Sequence, residues 1–183
     1  MASVADVTQI ANNAMMTPTI TQDLPIIGVH VDPFICNGPV MTGMHTTYSG
    51  AGTAFVVQLL NNGPQNVDVV QALTSFPSAA AAKVFVDRQF EDWQSCDDTD
   101  ITITVDGRYG GPPQHGRLGK STNDLGPSVV LLSPLPGAEG RQCQHVMSAR
   151  NNVVVDVRVC APNVLNMGWN LDQAIGEKIT GQR

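Results

Sequence analysis

The clearest pattern in the chain lies in RQCQHVMSAR and VVVDVRVCA, residues 141–150 and 153–161, which flank Asn151-Asn152. Apolar and polar positions alternate through the second run, as in a strand, and asparagine tolerates the positive φ of a tight hairpin turn. Counting outward from that turn pairs Arg150 with Val153 and, further out, Cys143 with Cys160. The cysteines fall in the non-hydrogen-bonded class of pair, where Cα atoms lie about 4.5 Å apart, a separation that suits a disulfide. The two faces of the hairpin differ. Val146, Val153, Val155, Val157 and Val159 form an apolar set that belongs against a core. The other face carries the cysteines with Ala149, Met147, Val154, His145, Asp156 and Arg158. It is either the wet side of an antiparallel sheet or one wall of a ligand cleft, with His145, Asp156 and Arg158 as polar contacts and Met147 as an adaptable apolar one. Tyr48 completes the set of candidate contacts.

Elsewhere the patterning is coarser. Ser3 can cap a helix running to about Met15, with Val4, Val7, Ile10, Ala11 and Ala14 on one face. Residues 17–39 are punctuated by proline and read as extended chain and loop. A strand is expected over Val40 to Tyr48, AFVVQLL at 54–60 is either strand or buried helix, and Asn66 to Phe76 is a strand. AAAAKVFVDRQFEDWQ places Ala82, Phe85, Val86, Gln89, Phe90 and Trp93 along one helical stripe that ends beside Cys96. DITITVDG alternates as a strand up to an Asp-Gly turn. The following segment to Pro127, rich in Gly and Pro, is a loop or ragged hairpin; SVVLLS is a strand and LPGAEG a turn. Leu171, Ala174, Ile175 and Ile179 mark a terminal helix over Asn166 to Thr180. Helices at both ends of a run of hairpin-joined strands predict an α+β fold, an antiparallel β-sheet flanked by helices.

Length adds that 183 residues suffice for one domain with a core of its own, without cross-links to hold it. Sixteen acidic residues outnumber ten Lys and Arg, for a net charge of -6, and no basic cluster exists to neutralise a row of phosphates, so nucleic acid is not expected as a partner. No apolar run approaches the roughly 20 residues of a membrane span. The N-terminus lacks the features of a secretory signal, so the sequence reads either as cytosolic or as a domain cut from a longer chain. The cysteines favour the second. Cys36 with Cys96 would close a long loop beside the hairpin bridge, and two bridges imply an oxidising compartment; the competing reading is four buried free thiols.

Candidate chemistry is thin. No C-x-x-C is present, and His30, His45, His115 and His145 show no ligand spacing, so neither a metal site nor a cofactor is expected. LGKST at 118–122 has Gln114 where a phosphate loop needs glycine. TYSGAGT at 47–53 is not a nucleophile elbow. Asp97, Asp98 and Asp100 cluster beside Cys96 but lack the spacing of a calcium loop. A hydrolase using Ser49 or His115 stays an outside alternative, because no nucleophile and base can be paired.

The stretches SFPSAAAAKVFVDRQFEDWQSC, DITITV and above all GAEGRQCQHVMSARNNVVVDVRVCA, leading to LDQAIGEKI, resemble the PknH-like extracellular sensor domain family of mycobacterial receptor serine/threonine kinases and related lipoproteins. The resemblance covers 36–183, with 1–35 as a helix and extended lead-in to a single domain; the 107–119 loop stands outside it. It implies an α+β domain, disulfides Cys36–Cys96 and Cys143–Cys160, and a concave groove for an environmental ligand. It further implies a position outside the plasma membrane, reached through a tether outside this sequence. The expected function is a non-enzymatic, extracytoplasmic sensor that binds an unidentified small-molecule or cell-envelope ligand as a monomer or weak dimer. The alternative is a structural or protein-interaction module of the envelope.

Overall fold

The computed structural model describes residues 1–107, 111–135 and 140–181. Helix α1 (Val4–Ile10) leads to strands β1 (Thr17–Gln22) and β2 (Val29–Asp32), then to the short helices α2 (Asn37–Val40) and α3 (His45–Tyr48). Strands β3 (Ala54–Asn62) and β4 (Val67–Ser75) precede helix α4 (Ala79–Gln94). Next come β5 (Asp100–Val105), β6 (Gln114–Leu118), β7 (Ser128–Pro134), β8 (Gln142–Arg150), β9 (Val153–Ala161) and helix α5 (Met167–Thr180). All nine strands form one antiparallel sheet in the order β1-β3-β4-β9-β8-β7-β6-β5-β2.

The β8–β9 hairpin is the centre of that sheet, in the register its alternation dictates: Arg150 faces Val153 and Cys143 faces Cys160. Asn151 takes the positive φ of the turn, 54°, while Asn152 does not. Instead the Asn152 side chain donates to the Phe76 carbonyl and its own carbonyl accepts from the Phe76 amide. The turn is thereby tied to the junction of β4 and α4.

Helices cover both faces of the hairpin. Val146, Val155, Val157 and Val159 pack with Val7 of α1 and with Leu171 and Ile175 of α5. Each side chain so removed from water contributes about 1.5–3 kcal/mol relative to exposure. On the opposite face Met147 and Val154 pack with Ala82, Val86 and Trp93 of α4 and with the Cys36–Cys96 bridge. The side-chain hydroxyl of Ser78 caps α4 by accepting from the Ala81 amide. Gly38 lets α2 approach this helix, since a β-carbon there would stand 3.3 Å from Gln89 Oε1 and 3.4 Å from Trp93 Nε1. The second face of the hairpin is therefore not the wet side of a sheet.

Several local expectations are corrected. The first helix stops at Ile10, because Asn12 and Asn13 turn left-handed at φ 54° and 61°. Val40 to Tyr48 is not a strand but α2 and α3 joined through Gly43 at φ 69°. Val40, Thr42, Gly43, Met44 and Tyr48 are its buried residues, and intervals of two and four fit a strand as well as a helix, so periodicity alone misleads here. Within residues 17–39, read as extended chain and loop, β1 and β2 form the two edges of the sheet. AFVVQLL is strand, as part of β3. Inside the Gly- and Pro-rich segment Gln114–Leu118 forms β6, paired to both β5 and β7. Gly116 permits it: a β-carbon there would lie 2.8 Å from Leu132 Cδ1 and 2.9 Å from the Ser133 carbonyl oxygen. Most of the turn LPGAEG lies outside the described residues.

Both disulfides are formed, Cys36–Cys96 across 60 residues and Cys143–Cys160 across 17, the second with its Cα atoms 3.9 Å apart. Loop-closure entropy ranks them: replacing both cysteines of the longer loop by alanine should cost about 4 kcal/mol, and of the hairpin about 3 kcal/mol. Urea unfolding of the two double variants measures this, and the opposite ranking would show that loop length does not govern their effect.

Candidate functional site

The expected polar contacts separate into two structures. The first is a buried network beneath α2, α3 and α4. The Asp156 carboxylate, 1% exposed, accepts from the Tyr48 hydroxyl at 2.8 Å and the Gly43 amide at 3.0 Å through Oδ2. Its Oδ1 lies 2.6 Å from His145 Nε2. The other ring nitrogen of His145 lies 2.9 Å from the Pro39 carbonyl oxygen. The Pro39 carbonyl can only accept, so Nδ1 donates to it, and Nε2 and Oδ1 form the second hydrogen bond of the ring. Trp93 packs on the imidazole with ring centroids 4.5 Å apart, and Met147 is buried beside this group. A paired, fully satisfied network of this kind anchors the 37–48 segment; removing one partner of a buried pair costs about 3–5 kcal/mol. Burial, then the Asp156 charge and the hydrogen bond to it, push the Tyr48 phenol well above its ordinary value.

The second structure is a groove on the same face of the sheet, beyond the reach of α4. Two adjoining cavities of about 390 Å³ and 400 Å³ share Ile103, Gln114, Arg141 and Arg158 as lining residues. The cystine Cys143–Cys160 lies in the floor, with Leu59, Asp68 and Val70 on the β3–β4 side and Ile101, Ile103 and Val105 on the β5 side. Thr19 of β1 and Val29 of β2 both line the second cavity, so strands from opposite ends of the sheet order curl toward each other across it. Arg158 is the one expected contact in the groove. His145, Met147, Asp156 and Tyr48 lie under the helices instead.

Arg141 pairs with Asp68 and donates to Asn66 Oδ1 at 3.3 Å. Arg158, 8% exposed, directs two guanidinium N–H groups at sulfur, Met41 Sδ at 2.9 Å and Cys143 Sγ at 3.4 Å. Burial, helped by the Arg141 charge and opposed by Asp68, brings it down to about 10, so the cation persists at neutral pH. The remaining candidates are dispersed. His115 lines the first cavity with Nδ1 3.1 Å from Thr102 Oγ1. Ser49 caps α3 and has no hydrogen bond to His115. Asp97 accepts from the Ser121 amide and Asp100 pairs with Arg117.

Comparison with known proteins decides the family. The model of the PknH-like extracellular domain matches residues 1–178. The chain belongs to the PknH-like extracellular domain family. Its fold matches the crystal structure of the extracellular domain of PknH from Mycobacterium tuberculosis with a TM-score of 0.88 at 25% identity, covering 99% of this chain and 93% of that one. The serine/threonine-protein kinase PknH of Mycobacterium bovis is 29% identical over 147 residues, 79% of this chain and 24% of the kinase. The Mycobacterium tuberculosis kinase of the same name gives 29% over 147 residues, 79% of this chain and 23% of the kinase. The chain thus spans about a quarter of the length of these kinases, and what it matches is their extracellular part rather than the catalytic domain.

The PknH-like domain is accordingly extracytoplasmic, in agreement with its two disulfides. The family match begins at residue 1, earlier than the resemblance drawn from position 36. The lead-in is part of the fold: the Ala2 amide donates to Gln71 Oε1 and Gln71 Nε2 donates back to the Ala2 carbonyl. Sequence reasoning missed Arg141, Asp68, Gln114 and Ile103 as groove residues. Arg141 next to the hairpin cysteine, in a chain of only ten basic residues, was the one available signal.

Tyr48 sets an alkaline limit on the domain. The folded state holds its proton beyond pH about 10, where an unfolded tyrosine ionises. Its contribution is therefore complete below that pH and is lost as the pH rises toward the raised native value. Tyr48→Phe should cost about 1.5–3 kcal/mol at neutral pH, by removing a hydrogen bond to a charged group, and should flatten the alkaline fall in melting temperature. An unchanged alkaline profile in this variant would assign the limit to another group.

Proposed function

We propose that this PknH-like domain is an extracytoplasmic sensor whose groove receives a small-molecule or cell-envelope ligand and passes occupancy to a tethered partner, a kinase domain or a lipoprotein's associates. The observation that carries the reading is the groove. Cavities of about 400 Å³, with apolar walls and a few converging polar side chains, have the form of a ligand site, and sheet curvature rather than any flexible lid creates them. Signalling follows by differential affinity: a ligand shifts a two-state equilibrium only as far as it binds one state better than the other.

A second reading, a protein-interaction module of the cell envelope, draws on a different observation. Leu24, Ile27, Phe34 and Ile35 are 69%, 76%, 71% and 65% exposed within one short stretch before Cys36. An apolar surface of this kind suits a protein contact.

Gln114 separates the two readings, because it is an exposed residue that lines both cavities. Gln114→Trp should fill the groove and leave the core intact. In a thermal-shift screen of cell-wall fragments, lipids and small acids, at least one class should raise the wild-type melting temperature, by the equivalent of about 2.7 kcal/mol at a hundred times Kd. The gain should vanish in Gln114→Trp. A screen without any shift, or a shift that the tryptophan leaves unchanged, counts against the groove as the ligand site.

A further inference from the structure

Among the described residues Arg158 has no carboxylate partner, whereas three other arginines of the sheet and its hairpin have one. Arg117 pairs with Asp100, Arg141 with Asp68 and Arg150 with Asp172. Among the described residues no ion pair involves Arg158. Among the described residues its hydrogen bonds go to the sulfurs of Met41 and Cys143, and its buried Nε has no partner there. Thioether and disulfide sulfurs are weak acceptors that carry no charge to offset the guanidinium. A buried cation normally lies against an anion, because desolvation costs several kcal/mol per ion. Here no carboxylate touches the guanidinium, because Asp68, whose charge reaches it, is paired with Arg141, and the under-compensated group lines both cavities of the groove.

The local charge balance points the same way. Two guanidinium groups, Arg158 and Arg141, face the groove against one carboxylate, Asp68, although the whole chain carries a net charge of -6. The nearby walls are apolar: Ile103, Leu59 and Val70 line the second cavity with Arg158. A neutral head group would leave the arginine uncompensated, and a cationic one would be repelled.

We propose that Arg158 is the anion anchor of the groove and that the ligand is an amphiphile, with a carboxylate or phosphate head against Arg158 and an apolar chain along Ile103, Leu59 and Val70. This rests on the groove being the ligand site and adds the class of ligand that it takes. Arg141, already held by Asp68, sits at the shared boundary of the two cavities and contributes charge without having to be released. The guanidinium plane offers a bidentate face that a lysine could not reproduce, so a planar carboxylate or a phosphate gains geometry as well as charge. In the empty groove the arginine is a stability liability that ligand binding removes.

The test compares four probes of equal chain length on the intact domain at low salt: decanoate, decyl phosphate, decanol and decyltrimethylammonium, by calorimetry and thermal shift. At least one anion should bind about tenfold tighter than decanol, the tighter of the two naming the head group, and the cation should not bind. Arg158→Met, close in length and uncharged, should melt no lower than the wild type, lose about tenfold in affinity for the anions and keep its decanol affinity within about twofold. Arg158→Lys should retain a preference for anions over decanol at reduced affinity, and this comparison decides the matter should the methionine variant not fold. Decanol binding as tightly as both anions, or anion affinity unchanged in Arg158→Met, overturns the anchor. If decanol binds, Gln114→Trp blocks it and no head-group preference exists, the groove reading stands and the anchor alone fails. If none of the probes binds, both fail.

Discussion

One buried carboxylate organises the helical side of this domain. Asp156 sits on β9, in the central hairpin of the sheet, and its two oxygens engage three groups that come from the 43–48 segment and from the neighbouring strand. A carboxylate in that position would carry a large desolvation penalty if any of these partners were missing. The network therefore requires the Gly43 turn, the α3 helix that delivers Tyr48, and the close approach of Pro39 to His145. The Cys36–Cys96 bridge joins the start of the same segment to the end of α4. Between them the carboxylate and the cystine hold α2 and α3 against the hairpin from two sides.

The groove begins where that packing ends. Along one face of the β8–β9 hairpin, Ala149 and Val154, Met147 and Asp156, then His145 face α4 and its neighbours, while Arg158 and the cystine lie toward the end that α4 does not cover. The same face thus changes from a hydrogen-bonded polar core to an open groove within a few residues. Its two charged residues, Asp156 and Arg158, behave oppositely for that reason. Both oxygens of Asp156 are hydrogen-bonded, whereas Arg158, among the described residues, has sulfur for partners and an unpaired Nε. The first arrangement adds rigidity, and the second leaves an under-paired cation on the wall of the groove.

Kinship with the PknH-like family holds at identities of 25–29%. Much of the fold was legible. Helix α4 spans the stripe from Ala82 to Trp93, and the hairpin register places Cys143 opposite Cys160. The misreadings have physical causes. Val40 to Tyr48 contains apolar residues at intervals compatible with either period, and only Gly43 and its bond to Asp156 resolve them. Strand β6 depends on a glycine whose missing side chain admits Leu132, a neighbour that local patterning does not reveal.

What the sequence by itself determined is everything that depends on near neighbours. Period-two alternation and an Asn-Asn turn dictate the central hairpin, its register and its disulfide, because each is set by residues within one hairpin of one another. The tertiary structure alone decided which part of the second face is core and which lines the groove. The partners concerned lie far away in the chain: Pro39 with His145 across 106 positions, Tyr48 with Asp156 across 108, Met41 with Arg158 across 117. His145 and Arg158 stand opposite each other on adjacent strands and are indistinguishable by alternation. The first is sealed under Trp93 and the second opens on the groove, since the end of a helix packed across the sheet falls between them.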